Sequence, residues 1–390
     1  MRHRSFFVFI SLVLMILFGL HYYLWARLVR DTGLGFPWKA LATSAIILFG
    51  LLIPTGFTLM RAAPRSLSTP LMWVVYLWMG LSFFLVVLLA VGDLVRLPLW
   101  LTQVISGAPV DSSRRRFIDL LVAGLALAGS GGLSLFGLFG AAAGAIQVKK
   151  VKVALKKLSP DQNGYRIAQI SDLHVGPTIG RAYVQTVVDR VKALKADLIV
   201  ITGDLVDGKV KALESLVEPL KELKARDGVY FITGNHEYYT QDVKAWYDWL
   251  QKAGIQPLEN QRVAIGGAEG FDLAGLPDLS SGAFGAEPDW KKTLEGRDTS
   301  KPVIVLAHQP VTFQEAAGHG VDLQLSGHTH GGQMFPFNFL VRLAQPYIAG
   351  LYRKGASQLY VSRGTGYWGP PMRIGAPSEI TEIELMAAAD

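Results

Sequence analysis

Four stretches of this chain contain no Asp, Glu, Lys or Arg: Ser5–Ala26, Ala40–Met60, Ser66–Gly92 and Leu120–Val148, of 22, 21, 27 and 29 residues. A helix needs about 20 mostly apolar residues to cross the hydrocarbon core of a bilayer. Each run is bounded by charge, so the pattern predicts an all-α transmembrane region over residues 1–148, with helices near 5–26, 40–60, 68–92 and 118–146. Tyr22, Tyr23 and Trp25 close the first run, and Trp73, Tyr76 and Trp78 open the third, as interfacial aromatics do. His21, the one ionisable side chain inside a run, is read as interfacial rather than as a proton relay.

The formal net charge of +7 invites a nucleic-acid reading, but its distribution removes the need for one. Residues 1–146 carry 11 Lys and Arg against 4 Asp and Glu, whereas residues 147–390 carry 27 of each. The whole excess flanks the apolar runs, where membrane topology explains it, so no nucleic-acid partner is expected. With Arg114, Arg115 and Arg116 on the cytoplasmic side, four spans put the N-terminus and residues 149–390 outside. The arginines belong to Ser113-Arg114-Arg115-Arg116-Phe117-Ile118. That run resembles a twin-arginine export signal, and read more plainly it is a positive cluster anchoring the fourth helix.

Beyond the spans the texture changes. Residues 149–164 read as a linker or an edge strand, since Val151–Leu155 alternates before a turn at Pro160–Gly164. From residue 165 to 390, short apolar runs (167–170, 198–202, 229–233, 303–307, 323–325, 359–361 and 380–385) pair early on with helical patterns near 181–194, 213–224 and 242–252. This predicts a layered α/β domain, a two-sheet β-sandwich flanked by helices.

The polar chemistry clusters where these strands end: Asp172-Leu173-His174, Gly203-Asp204-Leu205-Val206-Asp207, Gly234-Asn235-His236-Glu237, His308, and Gly327-His328-Thr329-His330. Ligands of α/β folds gather at the carboxyl ends of strands. Asp, Asn and His without thiolate suit divalent Mn, Fe or Zn, and a chain with no cysteine can offer nothing softer.

In these five ordered blocks the chain resembles the calcineurin-like metallophosphoesterase superfamily. The continuation Gly327–Gln333, the arginine run and the closing Gly364-Thr365-Gly366, Arg373 and Pro377–Ile380 resemble its bacterial membrane-associated or twin-arginine-exported branch. The resemblance implies two divalent metal ions, one held by Asp172, His174, Asp204 and His330, the other by Asp204, Asn235, His308 and His328. Asp204 would bridge them. It further implies His236 as the proton donor to the leaving group and places the chain in a bacterial inner or plasma membrane. Asp207, three residues after Asp204, is expected to orient His236, or else to cap the next helix. Glu237 is expected to be a supporting or solvent-exposed carboxylate rather than a ligand.

Two such cations can clamp a phosphate and acidify a bridging water, whose hydroxide attacks phosphorus in line. The expected activity is therefore hydrolysis of a phosphoester or phosphoanhydride, including a phosphodiester, by a membrane-anchored enzyme. Phe335, Phe337, Phe339 and Leu340, with Tyr367, Trp368 and Met372, form either ordinary packing or an apolar lip admitting a lipid-linked substrate. The competing class is a transporter or sensor whose spans do the work beside a catalytically silent metal-binding domain. Apart from His21, no run carries the ionisable residue that intramembrane function usually needs.

Overall fold

The computed structural model describes residues 2–106 and 111–388. They fall into two compact units, Met1–Phe136 and Gly137–Asp390.

The first unit is helical: α1 (Arg2–Trp25), extended by a π-helical turn at Ala26–Arg30, then α2 (Trp38–Ala62), α3 (Arg65–Ser106) and α4 (Ser112–Ala141), whose residues from Gly137 on belong to the second unit. All four are long and apolar enough to cross a membrane. Leu24, Leu85, Leu89 and Ala126 pack between them, while Phe7, Phe9, Leu48 and Phe117 face outward and exposed. So much contiguous outward apolar surface suits lipid rather than water.

Three boundaries differ most from the sequence expectation, the first being the start of α4 at Ser112 rather than near 118. α3 does not stop near residue 92 but runs to Ser106, about 63 Å at 1.5 Å per residue and roughly twice the hydrocarbon thickness. It continues because Asp93 and Arg96 are partnered rather than exposed to lipid. Tyr23 Oη donates to Asp93 at 2.7 Å, Arg27 pairs with Asp93 at 3.0 Å, and Arg96 pairs with Asp119. α4 ends at Ala141 and not near 146, because the chain turns extended at Ala142 and enters a sheet at Gln147. Arg116 donates to the carbonyls of Thr32 and Gly33 at 3.3 and 3.0 Å, pinning the loop between α1 and α2. His21 is satisfied at both ring nitrogens, by the Leu17 carbonyl at 2.8 Å and the Trp78 indole at 3.0 Å.

The second unit holds two six-stranded mixed sheets. Its strands are β1 (Gln147–Leu155), β2 (Tyr165–Ile170), β3 (Leu198–Thr202), β4 (Val229–Ile232), β5 (Gln256–Pro257), β6 (Gln261–Ile265), β7 (Phe271–Gly275), β8 (Val303–Leu306), β9 (Leu323–Ser326), β10 (Gly350–Lys354), β11 (Ser357–Val361) and β12 (Glu379–Ala387). The first sheet has the order β1-β12-β2-β3-β4-β5 and the second β10-β11-β9-β8-β7-β6. β1 is an edge strand, parallel to β12.

The helices are α5 (Arg181–Leu194), α6 (Val210–Val217), α7 (Asn235–Tyr239), α8 (Val243–Lys252), α9 (Trp290–Leu294), α10 (Phe313–Gly318) and α11 (Asn338–Ala344). Central strands are apolar on both faces because both are covered. Leu198 and Val200 of β3 face Ile304, Leu306 and Leu323 of the other sheet. Ile199 and Ile201 face Val187 of α5 and Trp246 of α8. Val303 and Val305 pack beneath Phe313 of α10.

Candidate active site

β2, β3 and β4 run parallel side by side, as do β8 and β9 in the opposite sheet. Their carboxyl ends meet at one rim of the sandwich. Cross-sheet bonds lock the two sets of turns together. The Gln169 amide donates to the Ser326 carbonyl at 3.0 Å, His308 Nδ1 meets the Thr202 carbonyl at 2.8 Å, and the His328 amide donates to Asp172 Oδ1 at 2.8 Å. Asp172, His174, Asp204, His328 and His330 all adopt left-handed φ between 50° and 72°. Such backbone costs a non-glycine residue on the order of 1–3 kcal/mol, and strain of this kind gathers at functional sites. Gly234 is present for a different reason than turn geometry: its φ is −98°, but a Cβ there would meet the Asp204 amide at 2.5 Å.

Eight of the nine sequence-predicted residues lie in groups with donor atoms close together, and Asn235, buried, precedes His236 at the start of α7. His174 Nε2 lies 3.0 Å from His330 Nε2 and 3.7 Å from Asp204 Oδ2, and His330 Nε2 lies 3.6 Å from Asp172 Oδ1. On the other side His308 Nε2 is 3.2 Å from Asp204 Oδ2, with the His328 ring 5.1 Å from that of His308. Three groups thus have donor atoms close enough to share a cation, Asp172–His174–His330, His174–Asp207–His236 and Asp204–His308–His328.

These residues fit divalent metal. Asp172 Oδ2, Asn235 Oδ1, His308 Nε2 and His328 Nδ1 are buried yet make no hydrogen bond, a costly arrangement unless another partner is provided. The hydrogen bonds of His308 Nδ1 to Thr202 and of His174 Nδ1 to Asp207, at 2.8 and 2.9 Å, occupy each Nδ1 and turn each Nε2 toward the other candidate ligands. Histidine ligands are characteristically oriented this way.

The electrostatics follow from crowding acids and imidazoles in a buried rim. Burial, with the neighbouring His174 and Arg373, depresses His330 well below the ordinary imidazole value, and burial with His308 lowers His328 to about 4. Burial would lower His308 too, but the Asp204 carboxylate overrides it and lifts it well above normal. Burial raises the Asp172 carboxyl. For Asp204 the facing His308 outweighs burial and holds the carboxylate well below normal.

Asp207 serves two imidazoles with one oxygen: Oδ1 lies 2.9 Å from His174 Nδ1 and 2.8 Å from His236 Nδ1. It does not cap the next helix, whose N-cap is Lys209. Burial would depress His236, yet Asp204 and Asp207 raise it to about 9. The His236 ring stands 5.9 Å from Trp368 and 5.3 Å from Tyr239, both exposed.

Two residues carry more structure than the sequence suggested. Glu237 is buried and accepts from the amides of Gly234, Leu205, Asp204 and Val206 at 2.6, 2.8, 3.0 and 3.2 Å, tying the Asp204 loop to the start of α7. Its spacing from Gly234 is that of a capping box, the one local signal that could have revealed it. Arg373 is buried with no carboxylate in hydrogen-bond contact. Its guanidinium donates to the carbonyls of His330, Arg363, Gly364, Gly366 and Ala376 and reaches His330 Nδ1 at 3.1 Å. Burial lowers its pKa to about 10.

Residues 165–332 match the family model described as calcineurin-like phosphoesterase. An uncharacterized metallophosphoesterase from Aquifex aeolicus is 34% identical over 244 residues, covering 62% of this chain and 92% of the relative. The chain belongs to this family. A transmembrane protein with metallophosphoesterase domain from Danio rerio is 42% identical to the metallophosphoesterase over 266 residues, 66% of this chain and 61% of the relative. An uncharacterized metallophosphoesterase from Helicobacter pylori is 40% identical over 243 residues, 62% of this chain and 64% of that one. This metallophosphoesterase therefore spans about three fifths of the length of these two relatives.

Proposed function

We propose that the chain is a membrane-anchored, dinuclear-metal phosphoesterase. The observation that carries this reading is the set of four buried, hydrogen-bond-free ligand atoms on Asp172, Asn235, His308 and His328, converging from both sheets. Asp172, His174, Asp204 and His330 would hold one cation, and Asp204, Asn235, His308 and His328 the other, with Asp204 common to both. When bound, the pair would polarise the phosphate and acidify the attacking water. His236, cationic at neutral pH, donates its proton to the departing oxygen, and Asp207 holds the ring for that transfer. Glu237 keeps the Asp204 and Asn235 turns in register. The exposed aromatics beside His236 favour an amphiphilic, lipid-linked phosphoester as substrate.

In this reading the catalytic unit lies outside the cytoplasm, which the arginine cluster ahead of the fourth span supports, and the engagement of Arg116 with the α1–α2 loop supports an anchoring role for the cluster. The chain without cysteine allows a direct test: a single cysteine at Lys224 should react with an impermeant maleimide on intact cells if the orientation is right. For activity, the purified full-length chain should hydrolyse a chromogenic phosphodiester with added Mn and lose that turnover on chelation. Absence of metal-dependent hydrolysis of any phosphoester would favour a silent sensor or transporter instead.

A further inference from the structure

The segment after the last candidate ligand turn is exposed and apolar. Phe335, Phe337, Phe339, Leu340 and Leu343 are 54%, 40%, 59%, 57% and 84% exposed, and none of the side chains of α11 is buried. Left in water, these side chains would form a contiguous apolar ridge of the kind that marks an interaction surface. What covers it follows from what holds it. The Phe335 amide donates to the Ile374 carbonyl at 2.9 Å, and the Ile374 amide to the Gln333 carbonyl at 2.9 Å. One residue earlier, the Arg373 amide donates to the Gly137 carbonyl at 2.9 Å.

Gly137 lies in the last turns of α4, the fourth apolar helix. The contact is close because side chains are missing there: a Cβ on Gly140 would meet the Arg373 carbonyl at 2.6 Å. The ridge is therefore two hydrogen bonds from the end of a helix that spans the membrane. Gln333 also exchanges hydrogen bonds of 2.9 Å with the backbone of Trp368, whose ring stands over His236. Tryptophan and tyrosine favour the headgroup layer, and phenylalanine and leucine the acyl region below it.

We propose that residues 335–343 insert into the leaflet from which α4 emerges, with Trp368 and Tyr239 at headgroup depth, so that the His236 side of the site opens onto the lipid surface. The occupant is the phospholipid of the chain's own bilayer. This rests on the membrane-anchored reading above and names the surface that would present a lipid-linked phosphoester to it.

The test uses the full-length protein in nanodiscs of phosphatidylcholine and phosphatidylglycerol. Leu340→Cys, Leu343→Cys and, as a water-exposed reference, Lys224→Cys are each spin-labelled in a background that has no cysteine of its own. Collision rates with oxygen and with a water-soluble nickel chelate are then compared. Labels at 340 and 343 should favour oxygen at least threefold over the label at 224, and adding Phe339→Asp with Phe337→Asp should abolish that preference at 340. A label at 340 as open to nickel as the one at 224 overturns the proposal. So does one shielded from both reagents, which would mean that protein, such as a second copy, covers the ridge. Neither outcome touches hydrolysis, so failure of the insertion and failure of the phosphoesterase reading stay distinguishable.

Discussion

Glu237→Gln is a one-atom change that separates a strut from a bystander. In the native chain Oε1 accepts from the amides of Leu205 and Val206, and Oε2 from those of Asp204 and Gly234. Exchanging either oxygen for NH2 sets a donor against two buried backbone donors. At about 1–3 kcal/mol for each buried group left unsatisfied, the loss is about 2–6 kcal/mol. For a domain of this size about 1 kcal/mol shifts the melting midpoint by about 2–4 °C, so a loss near 3 kcal/mol lowers it by roughly 10 °C. Because the same four amides shape the Asp204 and Asn235 turns, bound metal should fall together with stability. The assay is thermal melting of the full-length protein by tryptophan emission, with metal content measured on the same samples. A variant that melts within about 2 °C of the parent and keeps its metal refutes the strut.

His236→Ala should depress turnover far more than metal content, measured by elemental analysis; loss of the metals instead would reassign His236 as a ligand. Since the Asp204 and Asp207 carboxylates overcome burial to raise His236 from 6.5 to about 9, the charged ring stabilises the fold fully below pH 6.5. That contribution fades as pH rises through about 9. A pH–rate profile should fall on its alkaline side near 9, and Asp207→Asn should move the fall toward neutrality. Arg373→Met strands five carbonyls and should cost about 3 kcal/mol or more in melting experiments, whereas Arg373→Lys, restoring a charged donor, recovers part of it.

The strand-end turns were legible in the sequence because each ligand type sits within a few residues of an apolar run, and such local patterns survive folding unchanged. The two-sheet layering was legible for the same reason. Arg373 was visible only as a letter in a short motif, because its partners are carbonyls from three separate segments and carbonyls leave no mark in sequence. The reach of α3 was missed because charge was taken as the end of a helix. Asp93 and Arg96 are instead neutralised by Arg27 and Asp119 from other helices, which a reading along one chain does not bring together. The exposure of residues 335–343 was left open for a related reason: apolar residues read alike whether they face a core or a lipid.

Asp172 and His174 follow β2, whereas His328 and His330 arrive 156 positions later, from the opposite sheet. During synthesis the early members of the proposed cage must therefore wait until the turn after β9 is made. A ribosome stalled before residue 328 would leave a chain with half a cage. Occupancy of the site would then report that β9 and its turn have been made, and chains ending before residue 328 should be distinguishable from complete ones by metal content alone.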